Sequence, residues 1–292
     1  MTEIRNPKLS TLMKGLAFGE SLRWHSGQLW VSDWGTQEII AIDCDGKQDV
    51  KVKLNFQSCQ PICMDWLPDG RMVIVSSADG KLLCQNEDGS LRVYADLRPF
   101  TAKGWNEIVI DNRGNAFVNG GGFNPMSGEK FAPGIIVLVT FDGAVRQVAD
   151  GIAFPNGMAI TPDDSTLIIA ESYGKRLTAL DIAADGGLSN RRIWADLGDG
   201  VPDGIRIDAE GAIWYADVPN KNCVRVHEGG DKLQRVELDH GAFDCVLGGE
   251  QGKTLFIVSR EWLGMQKIDA KNRTGQILVT EAPAAAAGWP LN

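Results

Sequence analysis

Long apolar runs are missing from this sequence, and no stretch approaches the ~20 apolar residues that a membrane-spanning helix needs. Positive charge is also scarce, since 29 Lys and Arg stand against 38 Asp and Glu, for a formal net charge of -9. A nucleic-acid partner is not expected, because its binding depends on clustered basic side chains. The first residues contain no apolar segment typical of a signal peptide. These absences predict a cytoplasmic protein with neither a nucleic-acid nor a membrane partner.

Several catalytic signatures are absent as well. There is no G-x-S-x-G elbow for a serine nucleophile and no G-x-x-x-x-G-K phosphate loop. The three histidines, His25, His227 and His240, have no metal-binding spacing and are predicted to lie in turns or outer segments. The six cysteines form no C-x-x-C pair, and most lie in apolar runs, which predicts reduced, buried thiols. Carboxylate and amide side chains remain as the main candidates for chemistry.

The sequence does contain a repeated unit: a short apolar run, a turn and a second apolar run. Copies such as "ICMDWLPDGRMVIVSS" and "DGIRIDAEGAIWYAD" recur six times, at intervals of 41 to 50 residues. The position eight residues before the turn glycine, or its equivalent, is polar in five of the six copies. Its occupants are Glu20, Ile62, Asn106, Asn156, Asp203 and Asp244.

Tight-turn dipeptides keep the same spacing and predict β-hairpins. They are Asp45-Gly46, Asp88-Gly89, Asp142-Gly143 and Asp185-Gly186. Each repeat therefore reads as four short antiparallel strands, the unit of a propeller blade. The predicted fold is all-β: a six-bladed β-propeller with four antiparallel strands per blade, as a single domain over residues 1–292. A pair of β-sandwich domains is the alternative, but it does not explain the constant spacing.

Two segments are candidates to close the predicted ring. "KLSTLMKG" near the N-terminus and "GQILVTEA" near the C-terminus each read as an outer strand, and one of them is expected to complete the shared blade. The "PAAAAG" that follows the second segment is expected to form a loose tail.

The first strand of each blade lines the channel of a propeller, so the six repeat positions are expected to converge near its axis. Up to three carboxylates meet there with no Lys, Arg or His among them, and like charges raise one another's pKa. A bound cation such as Ca²⁺, Mg²⁺ or Mn²⁺ would relieve this, because oxygen donors suit hard ions. Asn156 and Asp203 also fit turns, since Asn and Asp before Gly are common turn formers. Glu20 is not a turn former, which favours a site.

Four segments resemble the SMP-30/gluconolactonase/luciferin-regenerating-enzyme family of six-bladed propellers. They are "FGESLRW", "WNEIVIDNRGNAFV", "PNGMAITPDDSTLIIAES" and "VPDGIRIDAEGAIWYAD", and together they span most of the chain. The resemblance implies that Glu20, Asn156 and Asp203 bind one divalent metal ion, with Ca²⁺ first and Zn²⁺, Mg²⁺ or Mn²⁺ as alternatives. It also implies that Asn106 helps to hold substrate or metal, and that Asp203 acts as general acid and base.

One segment departs from the family pattern. Members that hydrolyse sugar lactones often carry an Arg shortly before the third-blade Asn, where this sequence reads "AKGWNE". Lys103 or Trp105 takes that place, or sugar recognition is lost.

The pocket walls are expected to come from loops between the second and third strands of each blade. The third-blade loop, "NGGGFNPMSGEKFAPG", is the longest and is typical of a lid or specificity element. Aromatic residues near the mouth predict an apolar wall for a ring-shaped substrate. They are Trp34, Trp105, Phe123, Phe154, Tyr173 and Trp262. Among these, Trp105, Phe123 and Tyr173 join Asn106 and Lys103 as predicted substrate-binding residues.

The sequence therefore predicts a metal-dependent hydrolase of a sugar lactone or another small cyclic ester. The metal would polarise the carbonyl, and Asp203 would take a proton from water and return it to the leaving alkoxide. Asp244 and Glu107 are the alternative bases. The alternative functions are a non-catalytic ligand-binding propeller and a strictosidine-synthase-like enzyme that joins an amine to an aldehyde; the metal set argues against the second. The oligomeric state is left open.

Overall fold

The structure is a computed structural model that describes residues 8–56, 59–264 and 271–288. Its strands form six four-stranded antiparallel sheets, and the innermost strands of neighbouring sheets contact one another in a closed ring. This arrangement confirms the predicted six-bladed propeller. Within the described ranges the one helical element is a short 3-10 turn, Pro125–Ser127. None of the described residues forms a helix long and apolar enough to cross a membrane.

Each blade runs outward from the channel in chain order, after a first strand, β1 (Ser10–Leu16), that belongs to the last blade. Blade 1 contains β2 (Gly19–His25), β3 (Gln28–Asp33), β4 (Glu38–Ile42) and β5 (Gln48–Lys53). Blade 2 contains β6 (Ile62–Trp66), β7 (Met72–Ser76), β8 (Lys81–Gln85) and β9 (Leu91–Asp96). Blade 3 contains β10 (Trp105–Ile110), β11 (Ala116–Gly120), β12 (Gly134–Val139) and β13 (Val145–Ile152).

The second half of the ring repeats the pattern. Blade 4 contains β14 (Pro155–Ile160), β15 (Thr166–Glu171), β16 (Arg176–Ile182) and β17 (Leu188–Asp196). Blade 5 contains β18 (Pro202–Ile207), β19 (Ile213–Asp217), β20 (Asn222–Val226) and β21 (Lys232–Glu237). Blade 6 contains β22 (Gly241–Gly248), β23 (Thr254–Arg260) and β24 (Gly275–Glu281), with β1 as its outer strand.

Strand β1 closes the ring by pairing antiparallel with β24, from Ser10 opposite Val279 to Leu16 opposite Gly275. Both predicted closing segments are therefore used. "KLSTLMKG" supplies the outer strand of blade 6, and "GQILVTEA" supplies the third. Met13 and Leu16 are buried, so the closing strand also adds apolar contacts to its backbone hydrogen bonds.

The prediction that "PAAAAG" forms a loose tail is wrong. The Ala286 amide donates to the Gly252 carbonyl at 2.9 Å, and the Ala209 amide donates to the Ala285 carbonyl at 2.8 Å. Ala284 is buried. Small side chains let this segment lie against turns of blades 5 and 6, where its backbone polar groups find partners.

The core lies between adjacent blades, because inner strands are buried on both faces while outer strands face solvent on one side. Strands β7 and β11 are buried at every residue, whereas β5 is buried only at Val52. Alternation along the strands predicts that Trp24, Trp30, Trp66 and Trp214 belong to the core; the last three are buried, whereas Trp24 is half-buried. The predicted turns at Asp45-Gly46 and Asp142-Gly143 are confirmed, since Gly46 and Gly143 have φ of 80° and 87°, which a residue with a side chain rarely adopts.

Candidate active site

Four blades share an irregularity where the innermost strand enters the channel mouth. The register shifts by one residue between Glu20 and Arg23 in β2, and equivalent shifts occur at the starts of β10, β14 and β18. A β-bulge of this kind redirects a side chain and bends its strand. The residues at these bulges include Glu20, Asn106, Asn156 and Asp203, the polar residues that the repeat alignment singled out.

Asn156 and Asp203 are therefore not turn residues, because both lie inside strands. The glycines after them serve close packing between neighbouring first strands. A Cβ on Gly157 would lie 2.5 Å from the Ile205 amide nitrogen, and one on Gly204 would lie 1.9 Å from Asp244 Oδ1. The Pro-Asn-Gly and Pro-Asp-Gly sequences mark strand entry points at which two backbones nearly touch.

Two members of the predicted ring do not line the mouth: the prediction is wrong for Ile62, whereas Asp244 joins the acids in the channel at a lower level. Ile62 is fully buried in the core, and β6 pairs with β7 without a bulge. In β22 the bulge lies between Ala242 and Asp244, which places Phe243 at the pocket and Asp244 deeper in the channel. The Asp244 carboxylate accepts hydrogen bonds from the Leu22 and Cys245 amides at 2.6 and 2.7 Å.

A hydrogen-bond chain orders the amide side chains at the mouth. Asn106 Nδ2 donates to Asn156 Oδ1 at 3.1 Å, and Asn156 Nδ2 faces Ser172 Oγ at 3.4 Å. The Asn156 side chain also hydrogen-bonds to the Asp203 carboxylate. Asn119, which sequence reasoning did not assign to the site, donates to the Asn156 carbonyl at 2.6 Å and fixes this strand from blade 3. The only indication in the sequence that Asn119 belongs to the site was its place near the end of the second strand of its repeat, which is expected to reach the channel mouth.

The two acids at the channel mouth, Glu20 and Asp203, both have raised pKa values. Burial raises the pKa of Glu20 well above its usual value, and the nearby charges of Asp203 and Asp244 raise it further. Burial likewise raises the pKa of Asp203, assisted by Asp244 and Glu107. Both carboxyl groups thus favour the neutral form unless a cation joins them.

A second layer of charge lies beneath the mouth and is internally paired. Arg23 Nη2 donates to Glu107 Oε1 at 2.8 Å and to the Ile108 carbonyl at 2.7 Å. The Asp65 carboxylate accepts the Ile110 and Trp66 amides at 2.9 Å each. Arg206 Nη2 donates to the Leu22 carbonyl at 3.0 Å. Sequence reasoning missed Arg23 and Arg206, because the strands that carry them otherwise read as core.

All eight predicted site residues line one cavity of about 410 Å³. The metal candidates and Asn106 meet there with the substrate candidates Lys103, Trp105, Phe123 and Tyr173, and the other predicted aromatic residues line it as well. Lys103 is already ion-paired with Glu129 of the long third-blade loop, at 2.8 Å. The Trp105 ring borders the cavity but belongs mainly to the core, since only 1% of the residue is exposed.

The donor set suits a hard divalent ion. Two carboxylates with raised pKa values and two amide side chains share one pocket, and oxygen donors of this kind are preferred by Ca²⁺ and Mg²⁺. Within the ranges that the structure describes, no group of three His, Cys, Asp or Glu side chains is arranged to hold a metal. The candidate ligands Glu20, Asn156 and Asp203 do not form a group of that kind, because the third ligand is an amide rather than an acid, a Cys or a His.

Comparison with known proteins agrees with this architecture. The model of the SMP-30/gluconolactonase/LRE-like region matches residues 18–261, which include all the candidate site residues. The chain belongs to this family. Solved structures also show the same fold. A luciferin-regenerating enzyme superposes with a TM-score of 0.80 at 19% identity, over 96% of this chain and 97% of its own.

Three named relatives are 25% to 29% identical to this chain. Regucalcin of Gallus gallus is 29% identical over 84% of this chain and 88% of its own length. Diisopropyl-fluorophosphatase of Loligo vulgaris is 25% identical over 77% of each chain. Pentonolactonase of Haloferax volcanii is 27% identical over 53% of each chain. One of these three relatives is thus named as a lactonase.

Proposed function

We propose that the protein is a metal-dependent lactonase, which adds water to the carbonyl of a small cyclic ester and opens its ring. The observation that carries this proposal is the meeting of Glu20, Asn156 and Asp203 in one pocket, where burial and like charge raise the pKa of both acids. The lactonases among the relatives support the same reaction class.

Glu20, Asn156 and Asp203 are the residues that would hold the metal ion, with Ca²⁺ as the first choice. When bound, such an ion supplies a Lewis acid that stabilises the negative charge of the carbonyl oxygen during hydrolysis. The residues come from blades 1, 4 and 5, so their spacing depends on the closed ring rather than on any local segment. Asn119 and Ser172 hold Asn156 in place through its carbonyl and its amide nitrogen.

Asp203 is the proposed general base and then general acid. It accepts a proton from the attacking water as the new carbon–oxygen bond forms. It returns that proton to the ring oxygen as the old carbon–oxygen bond breaks, which yields one hydroxy acid per lactone and water consumed. One carboxylate oxygen of Asp203 would be available to hold the metal ion, which leaves the other for the proton.

The two alternative bases are less suited to this role. Glu107 does not line the cavity, and its Oε1 is occupied by the hydrogen bond from Arg23 at 2.8 Å. Asp244 lies below the mouth, and its carboxylate oxygens accept two backbone amides. Asp203 lines the cavity and is partly exposed to it.

Asn106 is the proposed positioning residue for substrate. Its Nδ2 donates to Asn156 Oδ1, so it lies next to the metal candidates and partly exposed in the same cavity. An amide in this position can donate to the lactone carbonyl or accept from the attacking water.

The test is chelation followed by metal restoration. The protein is stripped with chelator, and acid release from a panel of lactones is followed as Ca²⁺, Mg²⁺, Mn²⁺ or Zn²⁺ is added back. We expect turnover to disappear on chelation and to return with at least one ion. Glu20→Gln should raise the metal concentration needed for half-maximal activity, whereas Glu250→Gln, an exposed acid in a turn on the opposite face, should leave it unchanged.

The possible results separate the competing functions. Metal binding measured by calorimetry without turnover of any lactone would support a non-catalytic ligand-binding propeller. Turnover that resists chelation would exclude the metal role of Glu20 and Asp203.

A further inference from the structure

Two clusters of aromatic rings flank the proposed catalytic centre, and the first lies on blades 3 and 4. It consists of Phe123, Phe131, Phe154 and Tyr173, here called the blade 3–4 wall. Phe154 and Tyr173 stack with ring centroids 4.6 Å apart and planes 13° apart, and Phe123 lies 5.6 and 5.8 Å from them. Phe131 and Tyr173 are 51% and 53% exposed, which is unusual for rings in contact with each other.

The second cluster lies on blades 6 and 1. It consists of Phe18, Trp34, Phe243 and Trp262, here called the blade 6–1 wall. Phe18 stacks on Trp34 with centroids 5.3 Å apart, and Phe243 meets both Phe18 and Trp262 edge-on at 5.2 and 5.6 Å. All four residues line the same cavity as Phe123, Phe154 and Tyr173.

The two walls oppose each other across the channel mouth. In a ring of six blades, blade 1 lies opposite blade 4 and blade 6 lies opposite blade 3. The acids and amides of the catalytic centre therefore lie in a cleft with aromatic rings on both sides. The cavity of about 410 Å³ falls within the range of about 300–1,000 Å³ that is typical of drug-sized ligands.

Three polar side chains that border this cleft, Ser77, Ser172 and Lys103, already have partners within the protein. Ser77 Oγ accepts the Trp105 amide at 2.9 Å, and Ser172 Oγ donates to the Pro202 carbonyl at 2.7 Å. Lys103 is ion-paired with Glu129. A ligand with several hydroxyl groups would place some of them against aromatic rings, and burying a hydroxyl without a partner is unfavourable.

Backbone strain at Phe154 also marks this part of the cavity as a functional site. Phe154 adopts a φ of 62°, a region that bulky residues avoid, and such strain concentrates at functional sites. The neighbouring Ala153 amide is fixed by Glu171 at 2.7 Å, and the Phe154 carbonyl accepts the Ser172 amide at 3.1 Å. These bonds hold the strained turn that stacks Phe154 on Tyr173.

We propose that the substrate is an apolar lactone, one that carries a planar aromatic or similarly flat hydrophobic group beside its ester, and not a polyhydroxylated sugar lactone. The flat group lies between the blade 3–4 wall and the blade 6–1 wall while the ester carbonyl faces Asn106, Asn156 and Asp203. This proposal rests on the proposed lactonase function for its chemistry, but the pocket's preference for apolar ligands can be measured without turnover.

The first measurement is a binding comparison with cyclic ethers, which have no ester to hydrolyse. The full-length protein is titrated by calorimetry with 2-phenyltetrahydropyran, tetrahydropyran and 1,5-anhydroglucitol. We expect the phenyl compound to bind at least about tenfold more tightly than tetrahydropyran, because the walls bury its ring. The polyol should bind no better than tetrahydropyran. Equal or tighter binding of 1,5-anhydroglucitol would overturn the proposal.

The second measurement is the same comparison on esters. The metal-loaded enzyme should hydrolyse 5-phenyl-δ-valerolactone with a kcat/KM at least about tenfold above that of δ-valerolactone, chiefly through a lower KM. D-glucono-δ-lactone, corrected for its spontaneous hydrolysis, should be the poorest of the three. A preference for the sugar lactone would contradict the proposal.

Matched variants assign the preference to the wall. Tyr173→Ala should shrink the advantage of the phenyl compounds several-fold in both binding and turnover. Phe141→Ala is the control, since Phe141 is 46% exposed in a turn on the opposite face of the propeller, and it should leave the ratio unchanged. An unchanged ratio in Tyr173→Ala would overturn the role of the blade 3–4 wall.

Failure of this proposal is distinguishable from failure of the lactonase. Tight binding of the phenyl ether with no lactone turned over would contradict the proposed hydrolysis and support the apolar cleft. Turnover of sugar lactones alone would support the hydrolysis and contradict the apolar substrate.

Discussion

At the scale of single residues, the site depends on carboxylates placed where their charge is unfavourable. Asp203 lies beside Asn156 and near Glu20 and Asp244, and burial raises its pKa together with the neighbouring acids. A group with these properties holds a proton or a cation readily, which is what a base at a metal centre must do. Asp203 therefore has two roles in the proposed mechanism, since it would bind the metal ion and also transfer the proton.

Asp203→Asn separates those two parts. An amide oxygen can still bind a metal but cannot accept the proton, so we expect kcat to fall by about 10²–10⁴ at saturating metal. The measurement is kcat across a metal titration, with circular dichroism to verify the fold. Asp231→Asn, in an exposed turn on the far face, should retain wild-type kcat. A variant Asp203→Asn with more than half of the wild-type kcat would exclude Asp203 as the base.

At the scale of elements, the end of β15 connects a buried ion cluster to the pocket. Glu171 accepts hydrogen bonds from Arg176 and Arg191, at 3.1 and 2.9 Å, and from the Ala153 amide at 2.7 Å. Burial alone would raise the pKa of Glu171, but these bonds and one from Thr178 hold it below its usual value. The cluster thus fixes the segment that carries Phe154.

Glu171→Gln should destabilise the protein in a pH-dependent way. Because the folded pKa of Glu171 is lowered, its contribution is present above the unfolded pKa of about 4.3 and is lost as pH falls through the folded pKa. We expect a loss of about 1–3 kcal/mol in the free energy of unfolding at pH 7, by urea titration. The difference in the free energy of unfolding between Glu171→Gln and the wild type should be smaller at pH 3.5. Glu228→Gln, an exposed acid, is the control, and a gap that does not depend on pH would contradict the ionic role.

Closure of the ring by β1 gives a second prediction for an element. Leu16 is 1% exposed and packs in the core between blades 6 and 1. Leu16→Ala should lower the free energy of unfolding by about 2–5 kcal/mol in urea titration, because it leaves a cavity at the junction of the two ends. Leu233→Ala, in the exposed outer strand β21, should change it by less than about 0.5 kcal/mol. Equal effects would mean that β1 adds little to closure.

At the scale of the whole molecule, a metal at the channel mouth would connect blades that are far apart in sequence. Glu20, Asn156 and Asp203 come from blades 1, 4 and 5. An ion that binds the folded ring and not the unfolded chain must stabilise the entire propeller through mass action.

Ca²⁺ should therefore raise the unfolding temperature of the chelated protein. The expected stabilisation is about 2.7 kcal/mol when free Ca²⁺ is about 100 times its dissociation constant. Calorimetry at several Ca²⁺ concentrations measures it. Glu20→Gln should lose most of the shift, whereas Glu250→Gln should keep it. An unfolding temperature that no divalent ion changes would contradict the metal site.

The errors in the sequence-based ring have one physical cause. Spacing from the turn glycine counts residues, but a β-bulge inserts one extra residue and turns the next side chain to a new direction. Bulges occur near the starts of β2, β10, β14 and β18, directly after Glu20 and at Asn106, Asn156 and Asp203, so these polar residues all reach the mouth. Strand β6 has no bulge and β22 has one at a different position, so Ile62 and Asp244 were misplaced.

The number of blades, the strands and turns of each blade, and four polar residues of the channel mouth could be predicted from the amino-acid sequence alone. Those features follow from local chemistry: alternating apolar residues, Asp-Gly turns and a repeat length. Three features became evident only in the folded protein: the depth of Asp244, the pairing of Arg23 with Glu107, and the opposition of two aromatic walls across the mouth. These depend on contacts between residues up to 222 positions apart, which exist only once β1 closes the ring.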